Sequence, residues 1–345
     1  MIFSMLLSFD AHSWTRHDGI TYLCIKDLEG LNNYSQIKVE KIEEFIKKAF
    51  SDSYRFQDFV REFDFNEEMK LSYLEKKDVA SALDIISLYS AEPDSNMDLN
   101  LKHPDQIYMG GSIGDTAKGF RHLYFKTFNP FDFRASFHVP FRELGMLPER
   151  AQVCNDLSQL AFKAGSDYWG FRFLAWSLHY LQDITNPLHS TQIPTFKMAP
   201  VKAVLGGFKN LIRRSSQVIA NYHYLYEDLI FELLTKDKKD YLITVLQGDS
   251  FEDFKNISVY LKAKAIVSSK QAYDLGNSIV EFFGKEYFEE GIDVPNNPKA
   301  YPINEYLNNV NPDSQLIKVS QECLRQCGLV TRSLVKKAID EINSK

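Results

Sequence analysis

Two histidines and an aspartate lie within eleven positions of one apolar segment, SLHYLQDITNPLHSTQ (residues 177–192). His179 and Asp183 are four residues apart, so on a helix both side chains project from the same face and can bind one ion. Pro187 cannot continue a helix, so the chain should turn just before it, and that turn can bring His189 back to the same place. The spacing predicts a metal site at the end of a helix.

A second pair follows in NYHYLYEDLI (residues 221–230), where His223 and Glu227 are again four apart. Histidine nitrogens and carboxylate oxygens together form the ligand set that suits zinc. Taken alone, either pair is more often an intrahelical hydrogen bond or a surface ion pair. Together they favour metal binding, because three of the eight histidines fall in these two segments and a buried, unpaired carboxylate would be costly without a cation.

Helices must position these side chains. Apolar residues recur at spacings of three and four in five segments, which are 36–49, 150–182, 216–235, 257–289 and 315–343. Alternating strand patterns are scarce, and residues 90–148 and 290–314 have the composition of irregular chain. No linker-like stretch divides the sequence, so we expect one all-α, multi-helix domain with long loops around the site.

The overall composition narrows the classes of function. The chain has 345 residues, of which 44% are hydrophobic, and a net charge of −6 with dispersed basic residues, so a footprint for duplex nucleic acid is absent. The composition does not exclude single-stranded nucleic acids or lipids as substrates. No apolar run reaches the roughly 18 to 20 residues that span a bilayer. Cys323 and Cys327 lie one helical turn apart and could pair in an oxidising compartment, but two buried thiols are favoured.

The first residues resemble the end of a secretory signal. In MIFSMLLSFDAHSW a short apolar stretch precedes Ala11-His12-Ser13, which places small residues where a signal peptidase requires them. This pattern predicts a shortened signal peptide over residues 1–13, and cleavage would leave Trp14 as the new N-terminus. The usual charged n-region is missing, so a buried N-terminal segment is the alternative.

The segment HYLQDITNPLH resembles the signature of the zinc-dependent phospholipases C, which is His-x3-Asp-x3-Pro-x-His. The signature falls here on His179, Asp183, Pro187 and His189. A tyrosine follows the first histidine, here Tyr180, as in the phospholipase form, and His223 with Glu227 matches the family's next element. The related single-strand-specific zinc nucleases share the all-helical fold and the trinuclear zinc site. The resemblance therefore implies a single catalytic domain of this type over residues 14–345.

The resemblance also implies a role for the mature N-terminus. Members of the family are secreted and begin with a tryptophan whose amino group and carbonyl oxygen bind one zinc, together with a nearby histidine. Trp14 and His17 match this arrangement, although their spacing is tighter than in the family. An α-amine can bind metal only after the preceding peptide bond is cut, so processing would complete the site.

An aspartate and a histidine upstream of the signature should complete the ligand set. FRHLYF supplies His122, and SAEPDSNMD supplies Asp94 and Asp98, of which Asp94 is preferred for its short Ala-x-x-Asp context. The gap from Asp94 to His122 is longer than the family norm. The histidines His103 and His138 are expected to be ordinary loop or surface residues.

The resemblance thus implies three zinc ions. One would be bound by Asp94, His122, His179 and Asp183. A second would be bound by His189, His223 and Glu227. The third would be bound by Trp14, His17 and a shared Asp183. Zinc ions would make water a nucleophile near neutral pH and neutralise a phosphate, so the implied reaction is phosphodiester hydrolysis, with Asp94 as a candidate general base.

Three functions follow from this reading. The leading expectation is a secreted or periplasmic, monomeric phospholipase C that hydrolyses glycerophospholipids, above all phosphatidylcholine, at a membrane surface and has no stable nucleic-acid partner. The alternative is a single-strand nuclease, which would stack bases on aromatic side chains. The candidates for that stacking are Tyr124, Phe128, Phe131 and Phe133, which would serve equally well as acyl contacts. The third is a non-catalytic protein in which zinc only joins the helices.

A segment between the two histidine pairs bears on the lipid hypothesis. APVKAVLGGFKNLIRRSSQ (residues 199–217) alternates apolar residues with lysines and arginines. An amphipathic basic stretch can lie on a lipid interface. The alternative is an ordinary helix packed on the domain.

Overall fold

The computed structural model describes residues 17–50, 74, 77–94, 97, 103–109, 120–126, 142–236, 239–289, 291–295 and 301–344. These residues form twelve α-helices and two antiparallel sheets of two strands each. The all-α class predicted from the sequence is therefore confirmed. The predicted signal peptide over residues 1–13 and the predicted ligand Trp14 lie outside the described residues.

The helices are α1 His17–Ile25, α2 Ile42–Ala49, α3 Ala82–Tyr89, α4 Leu147–Lys163, α5 Asp167–Asp183, α6 Pro187–Ser190, α7 Phe208–Thr235, α8 Asp240–Leu246, α9 Ile257–Ser269, α10 Ala272–Phe283, α11 Ile303–Asn308 and α12 Gln315–Asn343. The strands are β1 Ile37–Lys38, β2 Val79–Ala80, β3 Tyr124–Phe125 and β4 Leu144–Gly145. Short 3-10 turns include Leu31–Tyr34, Glu92–Asp94, Pro104–Met109, Phe196–Met198, Val201–Gly206 and Glu286–Phe288.

Helix α5 lies at the centre of the fold. Every residue from Tyr168 to Asp183 is buried, because the helix is apolar on nearly all sides and packs against α3, α4 and α12. All twelve described helices contribute apolar side chains to, or pack against, one main hydrophobic core. A single core of this kind fits the single domain that the composition predicts.

The predicted helix over 150–182 is two helices, so that prediction was wrong in its continuity. Gly165 adopts φ 70° between α4 and α5, a left-handed conformation that ends a helix. The N–H of Ser166 donates to the carbonyl of Ala161 at 2.9 Å and thereby satisfies a carbonyl at the end of α4. Periodicity missed this break because apolar residues continue on nearly all sides of α5, so the pattern shows no interruption after α4. The segment 257–289 is likewise divided, between Ser269 and Ala272.

Other boundaries also differ from the prediction. Helix α7 begins at Phe208, not at 216, and the segment 36–49 begins with strand β1 before helix α2 starts at Ile42. The segment 290–314, predicted to be irregular, contains the short helix α11. The last predicted helix, 315–343, is confirmed at both ends.

The small sheet of β3 and β4 holds the segment that follows His122. Tyr124 pairs with Gly145, and Phe125 pairs with Leu144. Gly145 has φ 100°, and a Cβ there would lie 1.9 Å from the carbonyl oxygen of Leu123, so only glycine fits. This close approach fixes the backbone one residue after His122.

All four cysteines are buried free thiols, and these include Cys323 and Cys327, for which the sequence favoured thiols over a disulfide. Among the described residues, no helix has the length and apolar content that crossing a bilayer requires.

Candidate metal centre

Six structural elements bring the predicted ligands together. His17 begins α1, Asp94 ends the turn Glu92–Asp94, and His122 precedes β3. His179 and Asp183 lie on the last turn and a quarter of α5, as the spacing of four predicted. His189 lies on α6, and both His223 and Glu227 lie on α7.

The turn after α5 is the one that Pro187 predicted. Helix α5 ends at Asp183, and Pro187 is the first residue of α6. The side chain of Asn186 accepts a hydrogen bond from the N–H of Leu188 at 3.0 Å and so caps α6. This cap reverses the chain and places His189 beside Asp183, with 3.8 Å between its Nδ1 and Asp183 Oδ1.

The first ligand group contains Asp94, His122 and His179. His179 Nε2 lies 2.8 Å from His122 Nδ1 and 3.5 Å from Asp94 Oδ1. Asp183 Oδ2 lies 3.0 Å from His122 Nδ1. The structure thus brings Asp94 to the place that the sequence assigned to it. Asp98, the alternative ligand, lies outside the described residues.

The second ligand group contains His189, His223 and Glu227. His223 Nε2 lies 2.9 Å from His189 Nε2 and 2.6 Å from Glu227 Oε1. Two nitrogens that bind one tetrahedral zinc at about 2.0 to 2.1 Å are about 3.3 Å apart. The two imidazoles are therefore already close to the separation that a shared ion requires.

The third group contains His17, His179 and Asp183. His17 Nε2 lies 3.3 Å from Asp183 Oδ1. Both atoms are fully buried, and neither forms a hydrogen bond with any group in the part of the chain that the structure describes. A buried nitrogen and a buried carboxylate oxygen that approach without a hydrogen bond are costly unless a cation binds both. In each of the three groups, the candidate ligand atoms lie within 4.8 Å of one another.

Three of the histidines have the same orientation. Nδ1 of His179 donates to the carbonyl of Ser90 at 2.8 Å, and Nδ1 of His189 donates to the carbonyl of His122 at 2.6 Å. Nδ1 of His17 donates to Oε1 of Gln182 at 2.7 Å. A carbonyl oxygen can only accept, so in each neutral ring Nε2 carries the lone pair and points to a ligand group. Outward hydrogen bonds of this kind orient metal-binding histidines.

The two buried carboxylates are held in their charged forms. Burial alone would raise the pKa of Asp183, but the charges and contacts of the surrounding histidines outweigh burial and hold it well below its usual range. Burial would likewise raise the pKa of Glu227, but His223 and His189 lower it to about 2. Both carboxylates are therefore available as anionic ligands.

The pKa values of His179 and His189 are shifted in opposite directions. Burial lowers the pKa of His179 and outweighs the attraction of Asp183, so its ring is neutral at pH 7, as a ligand must be. Burial would also lower the pKa of His189, but Asp183 and Glu227 raise it. The two carboxylates therefore favour a positive charge beside them, which a bound cation would supply.

Two of the described candidate ligands retain some exposure to solvent. The side chain of His223 is 16% exposed and that of Asp94 is 7% exposed. The other described candidate ligands are exposed by 5% or less. His223 and Asp94 are therefore the described candidate ligands that solvent reaches most readily.

Three supporting residues were not found from the sequence. They are Ser90 and Gln182, which orient histidines, and Asn186, which donates to Glu227 Oε1 at 2.7 Å. The sequence signal for Gln182 and Asn186 was their polarity inside an otherwise apolar segment. Ser90 acts through its backbone, so no side-chain signal exists.

Two minor predictions about aromatic and basic segments can be compared with the structure. Tyr124 is buried and its hydroxyl donates to Glu143 at 2.6 Å, so it is not a platform for stacked bases. The three phenylalanines offered with it, Phe128, Phe131 and Phe133, lie outside the described residues. In the segment 199–217, Leu205 is exposed, but Ile212 is buried and the buried Arg214 donates to the carbonyl of Phe288.

Of the two histidines expected to be ordinary loop or surface residues, the structure describes one. His103 is half-buried in a loop, where its ring stacks on Phe120, and it belongs to none of the ligand groups among the described residues. His138 lies outside those residues.

No family model matches the chain, and no curated protein matches it significantly. The resemblance to the zinc phospholipases C therefore depends on the motif residues and on the geometry that brings them together.

Proposed function

We propose that this protein is a zinc-dependent phosphodiester hydrolase of the phospholipase C type. One observation carries the proposal: eight side chains, which the resemblance selected from six elements, converge in three adjoining groups, in each of which the candidate ligand atoms lie within 4.8 Å of one another. The contact between His17 Nε2 and Asp183 Oδ1, buried and without a hydrogen bond among the described residues, fits a cation. Histidine and carboxylate donors suit zinc.

Asp183 would bridge two ions, since its two oxygens point to different groups. Oδ1 lies 3.3 Å from His17 Nε2, and Oδ2 lies 3.3 Å from His179 Nε2. His189, His223 and Glu227 would bind the second ion, and Trp14 would complete the third site with His17. Three ions would match the three groups, but their number and identity belong to this proposal.

The chemistry divides between the ions and the chain. Zinc, when bound, supplies a Lewis acid for the phosphate and lowers the pKa of water. Asp94 is the most exposed carboxylate of the ligand groups, so it would accept the proton of the attacking water. His223 is the most exposed of the described candidate ligands, so the phosphate of a substrate would enter beside it. The buried imidazoles of His17 and His179 would hold the ions and exclude water from the far side.

A phospholipid is the substrate that we propose, with phosphatidylcholine as the first to test. Burial of Tyr124 removes one of the aromatic platforms that the nuclease alternative offered. Leu205 is an almost fully exposed apolar side chain on the segment between the two histidine pairs. Secretion, monomeric state and removal of residues 1–13 belong to the same proposal.

The test is a side-by-side assay of protein secreted by its own or a surrogate host. The N-terminal residue and the zinc content are determined first. Release of phosphocholine from phosphatidylcholine is then compared with release of nucleotides from single-stranded DNA, before and after chelation and after zinc is restored.

We expect a chain that begins at Trp14, close to three zinc ions, and lipid hydrolysis that chelation abolishes and zinc restores. Faster turnover of single-stranded DNA would support the nuclease instead. Tight zinc binding with neither activity would support a purely structural centre. A protein that binds no zinc would contradict all three functions.

A further inference from the structure

A buried ion pair lies beside the ligand groups, outside the predicted site. Arg172 of α5 donates through Nε to Glu92 Oε2 at 2.9 Å and through a terminal nitrogen to Glu92 Oε1. Trp176 donates through Nε1 to the same Oε2 at 2.7 Å. Glu92 and Arg172 are 1% and 4% exposed at their side chains. Both carboxylate oxygens are thus bound in a two-point, charge-assisted contact.

This ion pair and two of the ligands share one face of α5. Arg172, Trp176, His179 and Asp183 follow one another at spacings of four, three and four, so they form a single row along the helix. The first two bind Glu92, and the last two point to the ligand groups. The helix that supplies two ligands therefore also holds the turn that supplies a third.

The turn that carries Asp94 is attached to this row at several points. The carbonyl of Ser90 accepts from His179 Nδ1 at 2.8 Å, and Glu92 binds Arg172 and Trp176. Pro93 follows Glu92 and limits the backbone to one φ. The residue after Pro93 is Asp94, whose Oδ1 lies 3.5 Å from His179 Nε2. The ion pair at Glu92 and the carboxylate of Asp94 are thus separated by a single residue, whose φ the proline ring fixes.

A buried ion pair is a weak source of net stability, because the cost of removing two charges from water offsets most of their attraction. The precise geometry of the contact explains the presence of this buried ion pair better than stability does. Cation–π contacts make that geometry tighter, since the Arg172 guanidinium lies 4.0 Å from the ring centre of Tyr89 and 4.6 Å from that of Trp169.

We propose that Glu92 is a positioning residue of the metal centre, which, held by Arg172 and Trp176, places the carboxylate of Asp94 against His122 and His179. This inference rests on the proposed metal site. Glu92 itself belongs to none of the three ligand groups found among the described residues. Its substitution should weaken the ion of the Asp94 group and leave the ion of His189, His223 and Glu227 unaffected.

The test measures metal binding, independently of activity. Purified full chain is freed of metal, and Co²⁺ is titrated while its visible absorption is recorded, with Zn²⁺ competition against a chelator to obtain each affinity. Glu92→Gln keeps the size of the side chain and removes its charge. The control is Asp27→Asn, which breaks the ion pair of the half-exposed Asp27 with another buried arginine, Arg332, where the two atoms lie 2.8 Å apart.

We expect Glu92→Gln to weaken one ion by about 10- to 100-fold, the usual cost of losing an outer partner of a metal ligand, and Asp27→Asn to weaken none. Trp176→Phe keeps both charges and removes one donor, so a loss of a few-fold is expected at the same ion. This milder variant also serves if Glu92→Gln does not fold.

A double-mutant cycle with Asp94→Asn separates positioning from general loosening of the fold. If Glu92 acts through Asp94, Glu92→Gln adds less than about a twofold loss to Asp94→Asn, because the two share one effect. Equal losses in both backgrounds, equal weakening of all ions, or no loss at all would overturn the inference while the proposed function stands. Wild-type protein that binds no metal would overturn both.

Discussion

At the scale of single residues, Asp183 is the residue on which the candidate metal site depends most. It is fully buried, and four histidines lie around it: His17, His122, His179 and His189. The charges and contacts of the histidines around it outweigh burial and hold its pKa well below the usual range, so it is an anion in a buried place. Its two oxygens point to two different ligand groups, which a single intrahelical ion pair does not require.

We expect Asp183→Asn to abolish more of the metal binding than any other single substitution. The amide has no charge and cannot bridge two ions, so affinity should fall by more than the roughly 10- to 100-fold that loss of an outer partner costs, and hydrolysis should fall with it. Zinc content and Co²⁺ titration check this. Asp167→Asn, at the exposed start of α5, is the control. Retention of all ions by Asp183→Asn would remove the bridging role.

The pKa of Glu227 predicts a stability difference in the metal-free protein. A carboxyl whose pKa falls from 4.5 to about 2 on folding stabilises the fold above its unfolded value, and this contribution is lost as the pH falls towards 2. The full contribution is about 3 kcal/mol. Urea unfolding with a chelator present should therefore show a gap between wild type and Glu227→Gln that narrows from pH 6 to pH 2.5.

A surface carboxylate supplies the control for this pH series. Glu281 pairs with Lys197, and its side chain is 67% exposed, so Glu281→Gln should change stability little at any pH. A gap for Glu227→Gln that stays constant or widens in acid would mean that Glu227 is not held as an anion in the folded protein.

At the scale of elements, close helix contacts hold the long C-terminal helix in place. A Cβ on Gly328 of α12 would lie 2.2 Å from the carbonyl oxygen of Leu246 at the end of α8. That oxygen belongs to the backbone and cannot rotate away, so one of the two helices would have to shift.

Gly328→Ala should therefore lower the free energy of unfolding by about 1 to 3 kcal/mol, the usual cost of overpacking, despite the gain of up to about 1 kcal/mol in helix propensity. Chemical denaturation checks it. Gly248 is the matched control, because no atom lies within 4 Å of a Cβ placed there. A neutral Gly328→Ala would mean that α8 and α12 are free to move apart.

At the scale of the whole molecule, the ligand groups join parts of the chain that are far apart in sequence. His17 and Glu227 are separated by more than half of the chain, and between them lie α5 and the turns that carry Asp94 and His122. An ion that binds the folded state alone stabilises it by about 2.7 kcal/mol when its concentration is a hundred times its Kd.

Chelation should for this reason lower Tm by roughly 5 °C or more, and added zinc should restore it. Calorimetry with and without chelator measures the shift. Asp183→Asn provides the comparison, because a protein that has lost its ions should show a much smaller shift. The same Tm for wild type in chelator and in zinc would exclude a role of metal in the fold.

The sequence determined the helical class, the last helix and two pairs of candidate ligands, for a shared physical reason: each depends on spacing along one segment. Two pairs have a spacing of four, His179 with Asp183 and His223 with Glu227. Pro187 predicts a turn because proline cannot continue a helix. His17, Asp94 and His122 lie in other segments and were implied only by the family resemblance. The break at Gly165 was missed because an apolar period continues across it, and only the left-handed backbone ends the helix.

Tertiary structure alone decided how the groups meet and what holds them. Ser90 orients His179 through a carbonyl oxygen that every residue possesses, so no sequence pattern marks it. Arg172 is a charged residue in an otherwise apolar helix, but its partner Glu92 lies 80 positions away in the sequence. Contacts at such separations depend on the packing of whole helices against one core, whereas local spacing fixes only the face of a helix from which each side chain projects.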